Sequence, residues 1–470
     1  MVKKKKKTGI WNLIDKIEGD KVIWMIVFLL ILISVLAISS STTLLALDSG
    51  TTRVEIIKNQ AIIVMMGLGL IFICYNIKSL KFFMWCSKLG FAISAILLLL
   101  LTTHINLSPV VKAQNINHAW RTLQVFGIQV HVFEVVKVAM IMYLSWAVYA
   151  YNKDQHPGKD DKGKYFKFAN WLGSKPHFAF MKEGFWKQVF YIYIPMFITC
   201  LGVQQGSNSG LMIIGPIMIA TLMLGGMPIK KVLITIAGLI VFIFITFSIY
   251  KISNGTVFKR VGTGISRVMT STDETQLDGL RPYSPEFNEK MDKIRQPFGA
   301  KVAIHEGGFW GKGPGGSTQK HTVSLIFGDY MFSFLLEEYG LLGGVLIIVL
   351  YVSLLARGSM IARMCGDNDF AKSAVGGLTL LITAQAFLHM FINVGIGPLT
   401  GQTLPMISHG TSSFLMFSLA FGIILSISRN AKKQMEREEA AAMPIYERPN
   451  DEVHSSLTEL DQMESMFEEK

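Results

Sequence analysis

Ten apolar runs, broken by short segments that are basic at every second break, constrain this chain more than any other feature of its sequence. They fall near 22–46, from about 60 to the lysines at 78 and 81, and at 91–103, 131–151, 188–203, 211–225, 232–250, 326–356, 374–394 and 407–427. A helix needs roughly 20 apolar residues to cross about 30 Å of hydrocarbon, and most of these runs approach or exceed that length. Of the 470 residues, 51% are hydrophobic and only 17% charged, whereas soluble domains carry about a quarter charged residues. The sequence therefore predicts an all-α polytopic membrane protein with about ten transmembrane helices.

The net charge of +12 does not point to nucleic acid, because the lysines and arginines lie mostly between apolar runs, where they orient membrane helices. Seven lysines precede the first run, and eight more lie in 152–187. The positive-inside tendency puts both termini in the cytoplasm: a basic N-terminus at 1–21, a ten-helix domain at 22–429 and an acidic tail at 430–470. Residues 431–470 hold five basic and eleven acidic side chains, a composition expected to be disordered or marginally helical. Residues 251–325, between helices 7 and 8, form one long extracytoplasmic loop with eleven basic and seven acidic side chains. The four cysteines lie in or beside apolar runs, so no disulfide framework is expected. The first run is too long, and lacks the small-residue site, for a cleavable signal peptide.

Chemistry concentrates where the long loop enters the eighth run. Asp329 stands at the mouth of that run, followed by Glu337 and Glu338, and a carboxylate there is costly to hold without a partner or a task. Glu134 and Lys137, three positions apart in the fourth run, share a helix face, where they neutralise each other or line a pocket for an anionic substrate. The loop cations Arg260, Arg267, Lys301, Lys312 and Lys320, with the glycine cluster at 307–313, can cradle phosphate, although GGFWGKG lacks the spacing of a nucleotide-binding P-loop. On the outer surface, phosphate means lipid headgroups and lipid-linked intermediates. The segment 117–130 reads as an amphipathic interfacial piece with Trp120 as anchor and Arg121 toward headgroups. QQGSNSG, 204–210, is either an ordinary turn or unwound backbone lining a cavity.

Four stretches carry a resemblance. VFEVVKVAMIMYLSW is similar to a P-S-E-x-x-K helix; KVAIHEGGFWGKGPGGSTQK to A-I-G-S-G-G-x-x-G-K-G-x-G-x-S-x-Q-K; FGDYMFSFLLEEYGLLGG to H-T-D-F-I-F-A-x-x-x-E-E-x-G-x-x-G; and PLTGQTLPMISHGTSS to P-V-T-G-x-x-L-P-x-x-S-x-G-G-S-S. All four patterns belong to the SEDS family (shape, elongation, division and sporulation), which the chain resembles from about residue 23 to 429. The TGQTLP wording and the charged tail resemble its FtsW branch more than its RodA branch. The chain departs from the pattern at QQGSNSG, which lacks the family's Pro and Asp. It also departs in an insertion between His321–Thr322 and Asp329, and at His409–Gly410–Thr411.

The resemblance implies an inverting peptidoglycan glycosyltransferase that polymerises lipid II at the outer face of the cytoplasmic membrane during septal wall synthesis. It implies a class B penicillin-binding transpeptidase and other division proteins as partners, with Asp329 as the catalytic base. Glu134, Lys137, Arg121, Arg260, Arg267, Lys301, Lys312, Lys320 and Ser408 are its expected substrate-binding residues. No metal ligands are assigned; a divalent cation, Mg2+ or Mn2+, would have His305, Glu306 and His321 as its candidates. The competing readings are a lipid II flippase or transporter, an elongation-type polymerase and a scaffold whose tail recruits other proteins.

Overall fold

The structure, a computed structural model, describes residues 18–42, 46, 50–107, 111–116, 119–125, 128–157, 164–255, 261–262, 281, 284–323, 325–397 and 399–442. Its principal helices are α1 (Lys21–Ser41), α2 (Arg53–Asn76), α3 (Leu80–Thr102), α4 (Val132–Gln155), α5 (Gly184–Gly206), α6 (Asn208–Leu224), α7 (Ile229–Ile252), α8 (Pro285–Gly307), α9 (Met331–Met364), α10 (Asp369–Asn393) and α11 (Thr411–Ala442). Among the described residues, nine of these are long and apolar enough to cross a membrane; α6 is a shorter apolar helix, and α8 belongs to the long loop.

α4 and α10 form the middle of the bundle and are mostly buried by their neighbours. In α4, 78% of the most hydrophobic window is inside the protein, against 22% in α3 and α7. A helix apolar on every face belongs either in a core or against lipid, and here burial by neighbours separates the two cases. The 17-residue α6 lies between α4 and α10 and completes the centre.

The described residues of 117–130, read as an amphipathic interfacial piece, lie in a four-stranded antiparallel sheet of β1 (Asn106–Leu107), β2 (Val111–Ile116), β3 (Ala119–Val125) and β4 (Ile128–His131). Leu123 and Thr122 of β3 are buried, and Thr122 is opposite His131 and Gln114 in the ladder. The strands carry Lys112, Gln114, Asn115, Arg121, Gln124 and Gln129, and a sheet satisfies their backbone groups without bilayer contact. The long loop, in turn, contains the 23-residue α8, whose Ala300 and Ala303 are buried against the bundle. QQGSNSG proves to be a tight turn. Ser207 alone is extended (φ −154°, ψ 98°), and its hydroxyl accepts from Gly210 N at 3.0 Å to cap α6.

One end of the bundle is locked by charge. Asp20 caps α1 through Val22 N and Ile23 N while pairing with Arg357 of α9 at 2.5 Å, and Glu18 pairs with Lys433 of α11 at 2.7 Å. The other end carries the sheet, α8 and Asp329.

Candidate active site

Asp329 lies in the turn that leads into α9 and is half-buried. Its backbone is held from three directions. Its N–H donates to Leu325 O at 3.0 Å, its carbonyl accepts from Asn393 Nδ2 at 3.0 Å, and the preceding Gly328 carbonyl accepts from Ser408 Oγ at 2.8 Å. Gly401 brings the 399–408 segment against the carboxylate: a Cβ there would stand 3.0 Å from Asp329 Oδ2.

The first turn of a helix leaves backbone N–H groups without intrahelical partners, and in α9 these are met by side chains of α10. Asn393 Oδ1 accepts from Ser333 N and Ser333 Oγ, both at 2.9 Å, and His389 Nε2 accepts from Phe332 N at 3.3 Å. Because an amide N–H only donates, Nε2 must be the unprotonated nitrogen, which leaves the Nδ1 proton to donate to Gln402 O at 2.7 Å. One neutral imidazole thus bridges the start of α9 and the turn carrying Gly401.

Gln402 joins that turn to the buried ion pair. Lys137 Nζ donates to Glu134 Oε1 at 2.8 Å, Gln385 Oε1 at 2.6 Å and Gln402 Oε1 at 3.5 Å, so all three ammonium protons have acceptors. Gln402 Nε2 donates to Ser209 Oγ at 3.0 Å, and Gln385 Nε2 to Thr403 O at 3.0 Å. Lys137 is buried while the Glu134 side chain keeps 15% exposure. A buried charge needs such pairing; the side chains form the ion pair that the i,i+3 spacing suggested, in a network that Gln402 ties to the turn carrying Gly401.

Glu337 and Glu338 have a different setting. Glu337 Oε1 accepts from Lys312 Nζ (2.9 Å), Thr318 N (2.8 Å) and Thr318 Oγ1 (2.9 Å), and Oε2 from Ser317 Oγ at 2.5 Å. Glu338 Oε1 accepts from Ser40 Oγ at 2.5 Å and Gly315 N at 3.0 Å. The glycine-rich loop is also stitched to α9 by backbone bonds, Lys312 N to Glu337 O, Gly313 N to Glu338 O and Leu341 N to Gly308 O. Glycine is required for this approach. Cβ atoms at Gly311 and Gly340, both at positive φ, would lie 2.3 and 2.4 Å from Glu338 O and Phe309 O. We call this assembly the clasp.

The clasp takes up two of the predicted phosphate contacts. Lys312 pairs with Glu337 and Glu306, and the buried Lys320 donates to Gly315 O at 2.6 Å. Lys301 stands half-buried on α8, and Arg121 half-buried on β3. Ser408 is buried beneath the Asp329 turn, accepting from Leu404 N at 2.9 Å. Arg260 and Arg267 lie outside the described residues. His409, whose N–H donates to Phe327 O at 2.9 Å, has its imidazole pushed below its ordinary pKa by burial.

Sequence reasoning missed Gln385, His389, Asn393 and Gln402. The first three recur at i, i+4 and i+8 in an otherwise apolar helix, a polar stripe on one face. That periodicity was a readable signal of a buried network.

Comparison with known proteins agrees with this architecture. Residues 20–433 match the family model FtsW/RodA/SpoVE, described as cell cycle protein. The chain belongs to this family. Among curated relatives it is similar to proteins named probable peptidoglycan glycosyltransferase FtsW. The one from Halothiobacillus neapolitanus is 32% identical over 36% of this chain and 41% of its own length; that from Hahella chejuensis is 35% identical over 35% and 42%. The matched stretch thus spans less than half of these two relatives, whereas for that of Enterococcus hirae it spans 96%, at 24% identity over 89% of this chain. Among solved structures, Thermus thermophilus rod shape determining protein RodA superposes with a TM-score of 0.52 at 16% identity, covering 89% of this chain and 99% of that one. A chain from a structure titled as the structural coordination of polymerization and crosslinking by a peptidoglycan synthase complex gives 0.57 at 18% identity, covering 88% and 98%. These likenesses show a shared fold.

Proposed function

We propose that this FtsW/RodA/SpoVE family member is a peptidoglycan glycosyltransferase that polymerises lipid II, with Asp329 as general base. The observation that carries the reading is the Asp329 turn itself: a half-exposed carboxylate whose backbone is fixed by Asn393 and Ser408. The exposed apolar residues of α9 begin at Leu341, just past the break at Gly340, so Asp329 precedes that stripe, at the end of the bundle that carries α8 and the sheet.

In this reaction Asp329 takes the proton of the acceptor GlcNAc 4-hydroxyl as its oxygen attacks the anomeric carbon of the donor. The bond from that carbon to the pyrophosphate oxygen breaks, and undecaprenyl pyrophosphate leaves with the electron pair. A single displacement inverts the anomeric centre. General-base assistance of this kind contributes about 10²–10⁴-fold. Lys301 and Arg121, at the same end of the bundle, are the described cations we assign to the substrate's pyrophosphate, with Arg260 and Arg267 from the sequence.

A protein-held divalent cation does not fit the described residues. Among them no three His, Cys, Asp or Glu side chains cluster, and Glu306 is engaged by Lys312 and Thr318; no step is therefore routed through a metal.

The remaining parts of the reading are placement and partner. The lysines at the opposite end support cytoplasmic termini and an outward-facing Asp329, and the FtsW names of the relatives support a role at the septum. The likeness to a chain of a peptidoglycan synthase complex supports a class B penicillin-binding transpeptidase as partner.

The test is purified protein, with and without the transpeptidase, given labelled lipid II. The reading predicts a ladder of glycan chains that Asp329→Ala abolishes. Translocation of lipid II without polymer would make the protein a transporter, and a ladder that persists in Asp329→Ala would remove the base assignment.

A further inference from the structure

We propose that Phe309 and Trp310, at the tip of the clasp, are a membrane-interface anchor that seats the glycine-rich loop in the lipid headgroup region. Trp310 is 76% exposed and Phe309 51%, their rings 5.1 Å apart and edge to face. Two large aromatic side chains presented side by side on a loop are unusual for a surface that meets only water.

The backbone places them at a definite height. Leu341 N donates to Gly308 O at 3.0 Å, and Lys312 N to Glu337 O at 2.9 Å, so the tip is tied to α9 between 337 and 341. That is where α9 changes surroundings. Met331, Phe332, Phe334 and Leu335 are buried by the protein, whereas Leu341, Leu342, Val345 and Leu346 are each about half exposed, the start of an apolar stripe that runs to Met360. α9 is broken at Gly340 (φ 67°, ψ −171°), between 331–339 and 341–364. The 24 residues from 341 to 364, at about 1.5 Å each, suffice by themselves to cross the roughly 30 Å of hydrocarbon.

The tip therefore lies at the boundary between water and acyl chains. Tryptophan and phenylalanine partition to that boundary, and the adjoining loop supplies Lys312, Gly313 and Gly315 rather than more apolar residues, as a segment resting on headgroups requires. The occupant of this aromatic face is the lipid interface itself, continuous with the lipid-facing stripe of α9. Anchoring here fixes the clasp, and with it the start of α9, relative to the bilayer surface.

The inference does not depend on the reaction proposed above and is tested without an activity assay. Full-length protein with Cys74, Cys86, Cys200 and Cys365 replaced is placed in phospholipid nanodiscs, carrying a nitroxide at Trp310→Cys, at Leu346→Cys as a lipid reference or at Glu286→Cys as a water reference. The anchor predicts that the label at 310 is relaxed more by oxygen than by a water-soluble nickel chelate, as at 346. A label relaxed by nickel as strongly as at 286, or shielded from both reagents by protein, would overturn it. Because the nitroxide is itself apolar, the unlabelled Trp310→Cys thiol is also reacted with a permanently charged maleimide. A rate slower than that of Glu286→Cys by an order of magnitude is expected, and equal rates would overturn the anchor.

Discussion

Asp329 and the pair Glu337–Glu338 are carboxylates within nine residues of one another, yet the protein treats them in opposite ways. Every oxygen of Glu337 is used by Lys312, Ser317 and Thr318, and both glutamates are buried. At Asp329 it is the backbone that the fold grips, through Asn393 and the Leu325 carbonyl, while the side chain keeps partial access to solvent. A carboxylate fixed through its own oxygens is structure. At Asp329 the bonds to the main chain set the turn, and the carboxylate is half-exposed. Lys137 and Lys312 are likewise held through their own side-chain atoms, by acceptors on protein.

The comparison can be broken at several points. The largest effect is expected from Lys137→Met, which strands Glu134 beside Gln385 and Gln402; removing one partner of a buried pair costs about 3–5 kcal/mol. Thermal unfolding in detergent should show that loss, and adding Glu134→Gln should recover part of it. Next is Gly340→Ala in the clasp. Forcing a side chain to φ +67° with Phe309 O only 2.4 Å from the new Cβ should cost about 3 kcal/mol, the upper end of left-handed strain, read from the same melting curves.

His389 sharpens the contrast because its two nitrogens face different elements. His389→Asn keeps a donor near Gln402 O but loses the acceptor for Phe332 N, and should slow polymerisation about tenfold through misplacement of the Asp329 turn, with the dependence on lipid II concentration unchanged. His389→Gln places its carbonyl where Nε2 was and should restore most of the rate. Equal losses in the two variants would make the residue mere packing. The smallest effect is expected from Glu306→Gln. The Lys312 and Thr318 hydrogen bonds hold Glu306 below its ordinary 4.5, so its contribution is present above that pH and lost as pH falls through the depressed value. An exposed pair of this kind contributes little, and melting at pH 7 should barely move.

Much of this was legible in the sequence, and the rest was not, for definite reasons. The apolar runs and their basic flanks gave the helices, because burying or immersing about 20 apolar residues leaves few alternatives. The i,i+3 spacing of Glu134 and Lys137 announced their pair, but Gln385 and Gln402 lie some 250 residues away and no local pattern connects them. Asp329 stood out by its cost at a helix mouth. Lys312 and Lys320 were read as phosphate contacts because a glycine-lysine loop looks the same whether its charges face a ligand or a neighbouring glutamate. The sheet at 106–131 was hidden by its Gln, Asn and Lys residues, which blur the alternation that marks a strand.

The most direct measurement sets Asp329→Asn beside Glu337→Gln in one lipid II polymerisation assay, with thermal unfolding of each. The account predicts that Asp329→Asn loses about 10²–10⁴-fold in rate while melting like the wild type. Glu337→Gln should lose about 1–3 kcal/mol of stability and keep measurable polymerisation when folded. An Asp329→Asn protein that polymerises at the wild-type rate, beside a stable Glu337→Gln protein that does not, would contradict it.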